Sequence, residues 1–188
     1  MTDYTQLPDN LPEPEDDGLA DHLPGLELPI INLPSTDGRL VDLSGLSGRV
    51  VVYCYPRTGD PNAPSPVGWD EIPGARGCTP QSCAFRDHYE DLTAHGAAHV
   101  FGLSTQNSAY QREVVDRLHL PFPLLSDHAL SFARAVGLPT FTVDGMVLLK
   151  RLTLIIEEGA IGHVFYPVFP PHKNAADVLD FLKRRHPR

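Results

Sequence analysis

Lysine and arginine are missing from the first 29 residues of this 188-residue chain, which hold eight acids. The whole chain carries 15 Lys+Arg against 24 Asp+Glu, a formal net charge of −9, so residues 30–188 sum to only −1. A general nucleic-acid binder normally shows a basic excess, and none is present. No run approaches the ~20 apolar residues of a membrane-spanning helix. The N-terminus is acidic and lacks the apolar core of a secretory signal. The expectation is a cytoplasmic protein with neither nucleic acid nor membrane as partner. Cysteine is scarce, with three residues, and no Cys/His pairs stand at zinc spacing, so no metal site is expected. Tryptophan occurs once, at position 69. Yet 41% of the residues are hydrophobic, near the globular norm. A chain of this length can bury a core without disulfide staples.

Proline is abundant, at 19 residues, and it gathers in two places. Residues 1–24 combine prolines with the acids. Such sequence cannot bury enough apolar surface to offset chain entropy, so a mobile or loosely docked arm is expected. A domain over residues 25–188 follows, and deleting the arm is expected to leave it working. The second place is residues 57–77, a 21-residue stretch without hydrophobic period. Unstructured loops that long are uncommon inside compact domains and often functional. Trp69 would pin this one down.

The remaining sequence alternates strand and helix signals. Leu28–Ile31 and Leu40–Leu43 flank an Asp37-Gly38 turn and read as a hairpin. Val50–Tyr55 is a continuous β-branched and aromatic run, the mark of a buried central strand, and Pro56 stops it. A helix follows with Thr79 as cap and Pro80 in its first turn, closed by Gly96. Residues 98–104 read as strand, 109–118 as helix, 124–126 as strand and 128–136 as helix. Residues 146–149 and 151–156 read as two strands or one interrupted strand. A turn at 157–159, a strand over 161–166 and a helix over 174–184 complete the order. This order predicts an α/β fold: a mixed sheet flanked by helices, with an N-terminal hairpin.

Cys54 lies within the apolar strand, where thiols are usually inert. Cys78 stands where the long loop meets the helix. Helix N-terminal amides favour an anion there, Arg76 adds positive potential, and a thiolate would be a nucleophile. Cys83 is five residues on. If both are helical, their Cα atoms are ~8–9 Å apart and ~140° apart around the axis. A disulfide needs about 7 Å or less, so pairing them requires unwinding the first turn or two.

The segment Gly77-Cys-Thr-Pro-Gln-Ser-Cys-Ala-Phe-Arg-Asp87, after Val52-Tyr-Cys-Tyr-Pro56, resembles a peroxiredoxin of the bacterioferritin-comigratory or Q type. Leu33–Leu43, Phe101–Thr105, Pro123–Asp127 and Arg151–Ile156 match further family landmarks in order, over about residues 26–185. The resemblance implies a thioredoxin-like fold and a thiol-dependent peroxidase acting on hydrogen peroxide and organic hydroperoxides, without cofactor. It implies that Cys78 is the peroxidatic cysteine and that Cys83 resolves it in an intramolecular disulfide. Arg151 would stabilise the thiolate and Pro56 would shape the pocket. A thioredoxin- or glutaredoxin-type reductant would recycle a monomer or weak homodimer.

The sequence departs from the family's P-x-x-x-T/S-x-x-C pattern. Pro56 precedes Cys78 by 22 residues, and Ala75 stands where a hydroxyl is usual. An insertion of about 15 residues therefore interrupts the pocket loop. Thr58 is the first substitute for the hydroxyl, with Ser65 and Thr79 behind it. Two alternatives remain open: a thioredoxin-fold thiol–disulfide oxidoreductase, and a redox-sensing binding module.

Overall fold

A computed structural model describes residues 6–185. The first five residues of the expected arm and the last three of the expected domain lie outside the described residues. A short antiparallel pair comes first: β1 (Asn32–Pro34) and β2 (Leu40–Asp42), with Leu33 opposite Val41. Then follow β3 (Arg49–Cys54), α1 (Cys78–Asp87), α2 (Tyr89–Ala94), β4 (Ala97–Ser104), α3 (Ser108–Leu118), β5 (Leu124–Ser126) and α4 (Ser131–Val136). The chain closes with β6 (Thr140–Val143), β7 (Met146–Leu149), β8 (Leu152–Glu157), β9 (Ala160–Phe165) and α5 (Asn174–Arg185).

Five strands form the central sheet in the order β5-β4-β3-β8-β9. β3, β4 and β5 are parallel, while β8 and β9 are antiparallel to their neighbours. β3 lies in the middle because its side chains are apolar on both faces. Val50, Val52 and Cys54 enter one core, with Phe132, Ala133 and Val136 of α4. Val51, Tyr53 and Tyr55 enter the other, with Phe85, Leu92, Val114 and Val178 from α1, α2, α3 and α5. The two-residue side-chain period thus assigns alternate residues of one strand to opposite cores.

Several boundaries differ from the sequence-based expectation, each for a local reason. The first hairpin starts at Asn32 rather than Leu28. Pro29 has no N–H for a ladder, and Leu28 instead bonds to the Gly159 carbonyl at 2.9 Å. The helix expected to run to Gly96 breaks at His88, whose backbone leaves helical geometry (φ −98°, ψ 3°). The His88 ring also bonds the Ala84 carbonyl at 2.9 Å. α4 begins at Ser131 because the Asp127 carboxylate accepts from the Phe132 and Ala133 amides, at 3.1 and 2.7 Å. Residues 146–156 are two strands in two sheets. β7 pairs with β6, β8 pairs with β3, and Lys150 and Arg151 lie between them.

The end of the acidic arm is not loose. Ala20 is 5% exposed and Leu23 fully buried, both in the core that holds Val50 and Val52. Farther out, Asp17 accepts from the Lys150 ammonium and the Tyr166 hydroxyl. The expected mobile or loosely docked arm up to residue 24 therefore does not extend to Asp17, Ala20 and Leu23, which the fold holds. Replacing Leu23 by alanine is expected to cost about 2–5 kcal/mol, the usual range for a buried leucine. Urea unfolding checks this; an unchanged midpoint would mean that Leu23 is not held in the folded core.

Candidate active site

α1 opens on Cys78 itself, not after Thr79. Gly77 takes the cap position with φ +104°, a left-handed conformation that favours glycine. A Cβ there would lie 2.4 Å from Pro171 Cγ and 2.9 Å from Leu7 Cδ2, so the turn is also too crowded for a side chain. The first amides of a helix have no partner within it, and Pro80 has no N–H at all. The Cys78 thiol therefore stands at the positive end of a ten-residue helix.

Arg151 meets it from across the fold. The break between β7 and β8 places Arg151 beside the end of β3, where Leu152 pairs with Cys54. Its Nη2 lies 3.3 Å from Cys78 Sγ. The same nitrogen lies 3.1 Å from each of the Gly74, Ala75 and Arg76 carbonyl oxygens, so it also gathers the turn that presents the thiol. Nη1 donates to Gln81 Oε1. Gln81 Nε2 donates to Asn174 Oδ1 at 3.0 Å, and Thr153 Oγ1 donates to the same oxygen at 2.6 Å. Arg151 is 3% exposed, and Gln81, Thr153 and Asn174 are buried with it. This polar chain joins β8, α1 and the start of α5. Buried polar groups persist where such partners are supplied.

The other sequence candidates take different places. Pro56 is buried directly after β3 but does not wall the space above Cys78. Thr58 is buried, and its hydroxyl donates to Gln106 Oε1 at 3.1 Å rather than to the Cys78 sulfur. The hydroxyl-bearing residues that line the space beside Cys78 are Ser65 and Thr79. Arg76 lines it too, and pairs with Asp70 at 3.1 Å. Cys83 lies in α1, half-buried; burial pushes its thiol up and the Arg86 guanidinium works against that. Cys54 is buried in the opposite core, and burial pushes its thiol up strongly. All three cysteines are free thiols.

Gln81 and Asn174 escaped the sequence reading. Gln81 sits one turn beyond Cys78, so helical spacing puts it near the same helix end. Nothing local marks Asn174, which is 96 positions from Cys78.

The resulting arrangement is a nearly buried thiol (3% exposed) at a helix start, touched by an immobilised guanidinium. Such a site stabilises a sulfur anion and charge developing on an attached oxygen. A family model described as Redoxin matches residues 23–179. A chloroplastic peroxiredoxin Q of Oryza sativa subsp. japonica is 34% identical over 160 residues, covering 85% of this chain and 66% of the relative. A chloroplastic peroxiredoxin Q of Sedum lineare is 33% identical over 156 residues, covering 82% of this chain and 75% of the relative. Among solved structures, the peroxidoxin BcpB of Mycobacterium tuberculosis superposes with a TM-score of 0.70. It is 24% identical, with 87% of this chain and 98% of that one covered.

Proposed function

The chain belongs to the Redoxin family, with peroxiredoxin Q proteins among its relatives, and from that premise we propose that it is a thiol-dependent peroxidase using Cys78. The observation that carries the reading is the 3.3 Å contact between Arg151 Nη2 and Cys78 Sγ at the first residue of α1. The Cys78 thiolate attacks one oxygen of a hydroperoxide. An S–O bond forms and the O–O bond breaks, leaving a sulfenic acid. The second oxygen leaves as hydroxide or alkoxide and takes a proton to become water or alcohol. Arg151 donates to the sulfur before attack and faces the charge that develops during it.

Cys83 then attacks the sulfenic sulfur, forming a disulfide and releasing water. Both cysteines lie within one intact helix, so this step requires the start of α1 to unwind. No side chain caps that helix start, so the opening gives up no capping bond, but it does break the Arg151–Gln81–Asn174 chain. Unwinding also exposes Cys83, removing the burial that holds its thiol up. A dithiol reductant of the thioredoxin or glutaredoxin type then restores both thiols by exchange. A cytoplasmic location, where such reductants keep thiols reduced, and a monomer or weak dimer complete the proposal. No helix among the described residues is long and apolar enough to cross a membrane.

A disulfide oxidoreductase acting on proteins fits less well, because with α1 intact a folded substrate cannot reach a thiol that is 3% exposed. Two measurements separate the readings. The peroxidase should consume hydrogen peroxide catalytically with thioredoxin, thioredoxin reductase and NADPH. Cys83→Ser should still form one equivalent of sulfenic acid at Cys78, yet lose at least about ten-fold in turnover with thioredoxin. Mass spectrometry of the singly oxidised protein and steady-state NADPH oxidation check both. Full turnover in Cys83→Ser would remove it from the resolving role.

A further inference from the structure

The space above Cys78 is about 20 Å³, and most of its wall is not part of the sheet or of α1. Gly59, Asp60, Pro64, Ser65, Pro66 and Trp69 build it, all from the long loop after β3. The loop holds a defined shape. The Asp60 carboxylate accepts from the Asn62 amide at 2.8 Å, and the Asp60 carbonyl accepts from the Ala63 amide at 3.1 Å. The Trp69 amide bonds the Pro66 carbonyl at 3.1 Å and begins a 3-10 turn over Trp69–Glu71. Prolines at 64 and 66 fix φ on both sides of Ser65.

Trp69 anchors the wall. It is 5% exposed and packs with Ala75 and Leu148, its ring centroid 6.3 Å from that of Phe141. Its anchor is therefore the β6–β7 hairpin on one side and the turn before Cys78 on the other. An aromatic side chain of this size, fully packed, holds a loop strongly. The Arg76–Asp70 pair closes the same ring of residues.

A cavity needs about 10–15 Å³ to hold one water. The space beside Cys78, about 20 Å³, thus has room for one to two oxygen atoms. Hydrogen peroxide is that size. The four carbons of tert-butyl hydroperoxide or the ring of cumene hydroperoxide are not. We propose that the Trp69-anchored loop is a size filter, which makes hydrogen peroxide the preferred substrate of Cys78 and excludes bulky hydroperoxides. The inference rests on the peroxidase reading above and narrows its substrate class.

The filter predicts a ratio rather than a rate. Second-order oxidation of Cys78 is measured with hydrogen peroxide and with cumene hydroperoxide by rapid quench and mass spectrometry. Wild type should prefer hydrogen peroxide by at least about 100-fold, since even single methylene mismatches cost roughly 10–200-fold in a fitted pocket. Trp69→Ala should shrink that ratio at least about ten-fold by raising the cumene hydroperoxide rate. If Trp69→Ala does not fold, the Pro64→Gly/Pro66→Gly variant decides, because Pro64 is exposed and Pro66 half-buried. A wild-type ratio near one, or a ratio unmoved by loosening the loop, would overturn the filter while leaving the peroxidase intact. Wild type that reacts with hydrogen peroxide no faster than a free thiolate would instead overturn the peroxidase reading itself.

Discussion

Cys78→Ser is expected to lose peroxide reduction by at least about four orders of magnitude, as removal of a sole nucleophile does. The substitution changes one atom in a site that is 3% exposed, so packing is preserved. What changes is chemistry. A helix start and a neighbouring guanidinium can favour a thiolate, but an alkoxide lies far beyond their reach. Serine also cannot form the sulfenic acid on which the proposed resolving step depends. Hydrogen peroxide consumption coupled to thioredoxin, thioredoxin reductase and NADPH measures the loss, with circular dichroism confirming the fold. Retained activity would move the chemistry to another thiol.

Arg151→Met carries the second largest expected effect. It removes the Nη2 donor 3.3 Å from the sulfur, the three carbonyl contacts that gather residues 74–76, and the bond to Gln81. Loss of one donor aimed at developing charge typically costs about 10²–10³ in rate, or about 2.7–4 kcal/mol. The same range is expected for kcat/KM with hydrogen peroxide. Arg151→Lys should recover only part of it, because an ammonium keeps the charge but not the planar fork that reaches Gln81 and the sulfur together. Equal activity in Met and Lys variants would show that Arg151 serves the fold alone. Activity close to wild type in Arg151→Met would remove it from the site.

The parts legible in the sequence are those set by local pattern. The Val50–Tyr55 run announces β3 because a strand buried on both faces has no polar residue to interrupt it. The loop–helix junction near Cys78 is marked by Pro80, which acts within one turn, although the cap falls on Gly77 rather than on Thr79. β6 was missed although Thr140–Val143 alternates and the Asp144-Gly145 turn follows. Both turn residues have φ > 0 (49° and 74°), as a tight hairpin requires. The strand pattern was weak because β6 is exposed or half-buried throughout and never meets the main core.

The long-range part of the site is out of reach of local pattern, and Arg151 is named in advance only through the family resemblance. Arg151 follows Lys150 in a basic pair, and nothing local says which of the two turns inward. Lys150 goes to Asp17 of the acidic arm, and Arg151 to a thiol 73 positions away. The choice depends on where β7 leaves its hairpin and β8 joins β3. Likewise, Thr58 is nearer in sequence to Pro56 than Ser65 is, yet Gln106 takes its hydroxyl and the loop brings Ser65 to the pocket.

The alternation of side chains along β3 has one more outcome. Three cysteines can in principle form three different disulfides. Cys54 faces the α4 side of the sheet, while Cys78 and Cys83 belong with α1 on the other. Cys54 packs in one core while Cys78 and Cys83 pack in the other, so a bond to Cys54 would require its side chain to leave the core that buries it. Packing on opposite faces of β3 thus favours the proposed Cys78–Cys83 pairing over any bond to Cys54, independently of the reactivity of the three thiols.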